Sequence, residues 1–209
     1  ATDSKDPTRE QLMKAASHLF AKHGFDGVTV RDIAQAAEVN VAAVSYHFEG
    51  KEGLYRAVIE EFAHEKKTKM QSMLSKAPQN VQEYRILQRL LLYDFLSDVI
   101  ANPHHCQILM KEIDAGLPMA ADIFEKTMMQ NFKMIMKVHE DAQEKGFLRK
   151  DLDPKMIALI IQGIVFHMQR VEGIRKRFFK ESLVDEKTRQ QTIDQICTVL
   201  LDGMIDARK

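Results

Sequence analysis

A chain of 209 residues has room for one large domain or two small ones. Its 45% hydrophobic content is ample for a packed core, and five prolines, nine glycines and no tryptophan suit a mostly helical protein. A formal net charge of zero excludes a bulk polyanion binder. Within residues 1–56, seven basic side chains (Lys5, Arg9, Lys14, Lys22, Arg31, Lys51, Arg56) stand against eight acidic ones (Asp3, Asp6, Glu10, Asp26, Asp32, Glu38, Glu49, Glu52). Any affinity for nucleic acid must therefore come from where charges sit, and should need two copies of the domain. Cys106 and Cys197 lie far apart in apolar helical contexts and read as buried free thiols, which fits a reducing cytoplasm. No signal peptide and no apolar run of membrane-spanning length is present, and the start at Ala1 reads as a processed or trimmed terminus.

In chain order, residues 1–7 are polar and read as disordered. Pro7-Thr8 opens a first helix with Leu12, Ala15, Ala16, Leu19 and Phe20 as its buried stripe, and Gly24 as a left-handed stop. Thr29 is an N-cap. Val30, Ile33, Ala34 and Ala37 then define the inner face of a short second helix. The pattern breaks at Glu38-Val39-Asn40. Asn40 is a second N-cap, and Val41, Val44 and Phe48 begin a new apolar stripe. Helix, tight turn, helix is the helix-turn-helix arrangement. A long helix over 51–76, with Leu54, Tyr55, Val58, Ile59 and Phe62 inside, reads as a connecting rod. Helices are then expected over 81–101, 103–115, 118–145, 154–179 and 188–207, with no convincing strand alternation. The expected fold class is all-α. An N-terminal three-helix domain covers 1–52 and extends into the linking helix, and a C-terminal helical bundle covers 53–209.

The second helix of the pair has an unusual outer face. Ala42, Ala43, Ser45, Tyr46 and His47 are small or polar-aromatic, so they can lie against a groove without long charged chains in the way. A major groove admits one helix, and its base edges are read by hydrogen bonds and methyl contacts. Lys51 and the helix-start amides beside it can hold a phosphate. Taken singly, each is a bland surface residue; the constellation points to DNA.

The stretch from about Thr8 through Val58 resembles the tetracycline-repressor (TetR) family of bacterial transcription regulators. The resemblance rests on Gly24-Phe25-x-Gly-Val-Thr-Val-Arg-Asp-Ile-Ala and on Tyr46-His47-Phe48-x-x-Lys51-Glu52-x-Leu54-Tyr55. It implies phosphate contacts from Thr29, Arg31, Tyr46, His47 and Lys51, and base-edge contacts from Asn40, Val41, Ala42, Ala43 and Ser45. Ala42 and Ser45 depart from common family forms, where glycine and tyrosine are frequent. The resemblance also implies an effector held between helices of the second domain. Methionines there (among them Met110, Met119, Met128, Met129, Met134, Met136, Met156 and Met168) read singly as core filling, since thioethers adapt to irregular gaps, and together as the wall of a plastic cavity. Candidate effector contacts are Tyr93, Met110, Phe124, Met128, Phe132, His139, Gln162, Phe166 and Gln169, with Asp94 and His167 as further polar groups on apolar faces.

The last two long helices carry more apolar surface than one face each requires. Ile157, Ile161, Ile164, Met168, Ile193, Ile196, Leu200 and Met204 are the candidate dimer interface, as the resemblance implies a two-fold four-helix contact. His104-His105-Cys106 does not make a metal site: adjacent histidines point to different sides of a helix, and no second cluster has ligand spacing. No nucleophile elbow, phosphate loop or paired carboxylates appear. The expectation is a cytoplasmic homodimeric regulator, not an enzyme, without cofactor, metal or membrane. Its partners are a near-palindromic operator, a second copy and a small apolar effector that releases repression. The rivals are a regulator governed by a protein partner, with no cavity, and an all-α carrier or enzyme with a vestigial helix-turn-helix.

Overall fold

The computed structural model describes residues 6–205. Within them the chain is helical throughout: α1 Pro7–His23, α2 Val30–Ala36, α3 Ala42–Phe48, α4 Lys51–Met73, α5 Val81–Ala101, α6 Pro103–Asp114, α7 Ala121–Lys126, α8 Met128–Glu144, α9 Pro154–Arg170, α10 Glu172–Ile174 and α11 Glu186–Met204. A π-helical turn at Arg175–Phe179 follows α10. One antiparallel bridge, Leu148 to Ile205, is the extended pairing among the described residues. The expected disorder of residues 1–7 lies outside the described residues for 1–5 and fails at the other two, where Asp6 caps α1 and Pro7 opens it. The expected end of the last helix at Ala207 also lies outside the described residues.

The chain divides into two compact units. Unit 1 comprises 1–68 with 102–129, and unit 2 comprises 69–101 with 130–209. The unit holding the helix-turn-helix is thus larger than 1–52. Three short helices enclose too little apolar surface on their own, and α4, α6 and α7 complete the cluster. Leu12, Ala16, Phe20, Ile33, Val44 and Phe48 meet Leu54, Val58, Ile59, Ile108 and Ile123 in one core.

Local chemistry sets the ends of these helices. Asp6 Oδ1 accepts from Thr8 N at 2.9 Å and Pro7 occupies the first position of α1, where a missing N–H does no harm. Gly24 closes α1 at φ +76° and ψ 175°, open to glycine but extended rather than left-handed helical. Thr29 and Asp32 form a reciprocal capping box: Asp32 N donates to Thr29 Oγ1 (3.2 Å) and Thr29 N to Asp32 Oδ2 (2.8 Å). The Thr29 hydroxyl and amide bonded to Asp32 hold its carboxyl below the usual carboxylate range.

Unit 1 also buries a charge. Glu112 is almost fully covered; its Oε1 accepts from the Tyr55 hydroxyl at 2.8 Å and its Oε2 from Met119 N at 3.2 Å. Burial beside this carboxylate pushes the Tyr55 phenol up, so it remains a donor. Lys111 Nζ donates to Ala21 O at 2.7 Å, capping the last turn of α1 from α6.

In unit 2, α5 runs antiparallel to α11. Arg85 meets Asp202 (2.9 Å), Arg89 meets Asp194 (2.5 Å) and Gln190 (2.8 Å), and Tyr93 meets Glu186 (3.1 Å). Tyr84, Val138, Ala142, Phe147, Leu148, Ile157, Leu201 and Met204 form the core below. Burial lowers the His139 pKa to about 4.

Two expected helices are broken. The continuous 118–145 helix is interrupted at Thr127, whose hydroxyl donates back to Ile123 O at 2.5 Å, and 118–120 is a turn held by the Met119–Glu112 bond. The 154–179 helix bends by 45° after Arg170. There the Glu172 carboxylate accepts from Ser182 Oγ (2.7 Å) and Leu183 N (3.2 Å), folding the chain back toward α11, which starts at Glu186 behind the Asp185 cap.

A Cβ on Gly53 would lie 1.8 Å from Phe48 O, a backbone atom that cannot rotate away. Gly53→Ala should therefore destabilise unit 1 by at least about 2 kcal/mol, read by denaturant unfolding. His139 supplies a pH dependence with a defined sign. Its folded pKa is depressed, so the neutral ring's stability is fully present above pH 6.5 and is lost as pH falls toward 4. From pH 7 to pH 4 the wild type should lose up to about 3 kcal/mol more than His139→Phe.

Candidate nucleic-acid interface

Helix α3 is seven residues long, and its orientation is set by Val44 and Phe48, both buried. The opposite side follows from helical geometry. Ala42 and Ser45 face solvent, Val41 is 44% exposed and Tyr46 is 84% exposed. Among the described residues, Tyr46 is the most exposed large apolar or aromatic side chain. Asn40 Oδ1 accepts from Ala42 N at 2.8 Å, so its side chain caps the start of α3 although the helix boundary falls one residue later. Thr29 and Arg31 are exposed at the start of α2, with Thr29 committed to the capping box.

Two of the ten expected contacts sit differently. The His47 side chain is only 13% exposed; its ring packs edge-on against Tyr46 with centroids 4.8 Å apart, and its Nε2 lies 3.6 Å from Asp6 Oδ2. The Lys51 ammonium is turned inward. It donates to Phe25 O and Val28 O, each at 3.0 Å, and lies 4.1 Å from the centre of the Phe25 ring. It ties the connection between α1 and α2 to the start of α4 rather than presenting a point charge to solvent. The sequence showed a lysine at a helix start; the carbonyls that claim it are 23 and 26 residues away. Sequence reading also missed Arg9, whose guanidinium lies over the Phe48 ring at 5.3 Å.

The nine effector candidates divide between the units. Met110, Phe124 and Met128 belong to unit 1, where Met128 packs on the core. Tyr93, Phe132, His139, Gln162, Phe166 and Gln169 belong to unit 2. Tyr93 is engaged at the surface, bonded to Glu186 with the Arg189 guanidinium 5.6 Å from its ring centre. His139 is fully buried, and its Nδ1 is 2.9 Å from the hydroxyl of Tyr84, a residue the sequence reading did not select.

Of the dimer candidates, Ile157, Ile193 and Met204 are buried in the core of their own unit, and Ile161, Ile164, Met168, Ile196 and Leu200 are half-buried. The exposed apolar stripe of α9 lies one register over, at Met156, Leu159 and Ile160, with Val199 exposed on α11. The stretch 154–165 is so apolar that periodicity alone could not say which side faces in. Among the described residues, no group of three or more His, Cys, Asp or Glu side chains could hold a metal ion, and no single helix is long and apolar enough to cross a membrane.

Lys51→Met should therefore lower the stability of unit 1 by about 1–3 kcal/mol, because two carbonyls lose their donor. It should change the salt dependence of DNA binding by less than one unit of log–log slope, read by titration at several salt concentrations.

Comparison with known proteins places this geometry. Residues 12–58 match the family model described as bacterial regulatory proteins, tetR family. The transcriptional repressor DhaR of Mycobacterium sp. (strain GP1) is 26% identical across 97% of this chain and 94% of its own. The structure of the ketosteroid transcriptional regulator KstR2 of Mycobacterium tuberculosis superposes with a TM-score of 0.75 at 22% identity, covering 99% of this chain and 97% of that one. The fatty acid degradation regulator FadR from Bacillus halodurans gives a TM-score of 0.71 at 18% identity, covering 95% and 97%. At these identities the two structures speak to the fold alone. The matched segment holds the capped pair α2–α3 with its outward Tyr46, so residues 12–58 of this chain carry the helix-turn-helix segment described by the tetR family model of bacterial regulatory proteins.

Proposed function

We propose that this chain is a cytoplasmic repressor and not an enzyme. It binds a near-palindromic operator as a homodimer and releases it when a small apolar or amphipathic effector occupies the second domain. The observation that carries the DNA half is the solvent-facing side of α3, where Ala42, Ser45 and the 84% exposed Tyr46 form a low surface that a major groove can accept. Asn40, Val41, Ala43 and Ser45 are assigned to base edges, with Thr29, Arg31 and Tyr46 to the backbone. His47 and Lys51 support the face from behind.

The zero net charge of the chain makes a single copy a weak binder. Two copies related by a two-fold axis bring two reading helices to a separation of about 34–36 Å, one turn of duplex. The exposed stripe of Met156, Leu159 and Ile160 on α9, with Val199 on α11, supports a contact between copies, since apolar patches of this kind mark association surfaces. An effector acts only through different affinity for two states of the dimer, one with its heads at the operator spacing and one without. The named repressor DhaR supports repression as the direction of control.

Fluorescence anisotropy with duplexes from upstream of the chain's own gene tests the reading. Tyr46→Ala should weaken binding by about ten- to hundredfold while leaving the unfolding midpoint unchanged, because its side chain touches little of the protein. Unchanged affinity rejects the assignment of α3 as the reading helix.

A further inference from the structure

Unit 2 holds three almost fully buried polar side chains with an atom that meets no partner, besides the partly exposed Ser97, Arg175 and Arg189, which each carry one as well. Gln88 is 2% exposed, Asn131 7% and His139 0%. The unpaired atoms are Gln88 Nε2, Asn131 Oδ1 and His139 Nε2. Buried polar atoms are nearly always paired, because each unpaired one forfeits its hydration without replacement. Three in one small core is a pattern that needs a cause.

Their positions are related. Lys145 Nζ reaches Pro78 O at 2.7 Å, and His139 Nδ1 reaches the Tyr84 hydroxyl at 2.9 Å. As the residue number rises toward and along α5, that of its partner on α8 falls, so the two helices run in opposite senses. Gln88 is one turn beyond Tyr84 on the same face of α5, and Asn131 is two turns before His139 on the same face of α8. Gln88 therefore lies on the side of α5, and Asn131 on the side of α8, from which the Tyr84–His139 bond joins the two helices.

The protonation states are fixed by burial. Burial holds the Tyr84 phenol protonated and His139 neutral. The phenol has one hydrogen and no other partner, so the arrangement that leaves fewest groups unpaired has it donate to Nδ1 of His139; the reverse would strand both the phenol hydrogen and Nε2. The imidazole proton is then on Nε2, as a donor with nothing to receive it. Gln88 offers a second donor and Asn131 an acceptor. Among the described residues, the buried polar side chains of unit 2 are these three, and none is charged. An anion placed among them would be desolvated without a counter-cation.

We infer that Gln88 and His139, with Asn131 beyond them, form the polar anchor of an effector site between α5 and α8 that takes a neutral apolar molecule through a carbonyl or hydroxyl oxygen. This rests on the ligand-responsive reading above and names the chemistry of its effector. His139 Nε2 and Gln88 Nε2 donate to the ligand oxygen, while Asn131 Oδ1, two turns or about 12 Å along α8, would accept from a second ligand hydroxyl. The Tyr84 phenol holds the imidazole in the tautomer that makes Nε2 the donor.

The test compares three probes on the full-length protein: 2-decanone, its isostere 2-methyl-1-decene in which a methylene replaces the oxygen, and decanoate. Affinities are read by displacement of a fluorescent apolar dye. A 15N–1H spectrum of histidine-labelled protein follows the His139 ring. The ketone should bind about tenfold tighter than the alkene, the advantage of one or two well-made hydrogen bonds, and tighter than decanoate at pH 7.5. The His139 Nε2–H resonance should shift with the ketone only. Gln88→Leu and His139→Phe should each bring the ketone-to-alkene ratio close to one, and either variant suffices if the other does not fold.

Equal affinity for ketone and alkene overturns the inference, as does tighter binding of decanoate. So does a ratio that survives both substitutions, binding of no probe at all, or a crystal soaked in 2-decanone that shows ordered water alone on the two donors. Operator affinity measured in the same samples separates this from the reading it rests on. Oxygen-dependent binding without release of DNA upholds the site and sinks the effector role. Release of DNA that is indifferent to both substitutions upholds the effector role and sinks the site.

Discussion

Val44 and Phe48 enter the core of unit 1 from a helix with too few internal hydrogen bonds to persist alone in water. Both the existence of α3 and its rotation about its own axis derive from those two side chains, one turn apart. Once they are inside, Ala42, Ser45 and Tyr46 have no choice but to face out. The constraint extends to the neighbours. Gly53 is bare because the Phe48 carbonyl occupies the place of a side chain, which lets α4 start directly against the end of α3. Lys51, one residue into the junction, reaches back to the carbonyls of Phe25 and Val28 and fastens the loop that delivers α2. The reading surface is thus presented by packing behind it, not by any stability of its own.

Apolar contacts of this kind tolerate sliding, and the directional bonds of unit 1 remove that freedom. Both oxygens of the buried Glu112 carboxylate are met, one by the Tyr55 phenol on α4 and the other by the Met119 amide in the turn before α7. A buried carboxylate with both oxygens satisfied is tolerable, whereas one stripped of a donor is not. Arg56 closes the same ring from the other side, bonded to Met119 O and to both oxygens of Asp122. Lys111 on α6 then grips the last turn of α1 through Ala21 O. These bonds oppose any sliding of α6 against the helices that seat α3.

Much of this was legible in the sequence where the cause is local. The caps at Thr29 and Asn40 are short-range bonds between residues two or three apart, and the composition around each announces them. The inner stripes of α1 to α3 follow from helical period. What escaped reading was decided across the fold. Lys51 looked like a solvated cation because its acceptors are main-chain carbonyls, which no side-chain pattern reveals. The break at Thr127 and the bend after Arg170 occur inside good helical sequence, because the Glu112 and Glu172 carboxylates recruit backbone and hydroxyl donors from distant turns. The inner face of α9 was not legible because an all-apolar run carries no phase; Ile157 is turned inward where Met156 and Ile160 are not. Gln88 sat unnoticed between Leu87 and Leu91, although a glutamine inside a leucine-rich helix is the one signal that could have marked it.

The two units spend their buried polarity differently. In unit 1 the interior charge is matched donor for acceptor, and the result is rigidity around the reading helix. In unit 2 the pairs of Arg85 with Asp202 and of Arg89 with Asp194 lie at the surface and contribute little each. Its most deeply buried polar side chains, Gln88, Asn131 and His139, are neutral and incompletely paired. A neutral amide or imidazole left unpaired costs far less than an unpaired charge, so such groups can stand in a core without unfolding it. That difference is what a receptor requires. A site made of charged groups would be too destabilised to exist between binding events, and a fully paired one would have nothing to offer. Neutral donors set in an apolar wall occupy the range between, at the expense of some stability that a fitting oxygen restores.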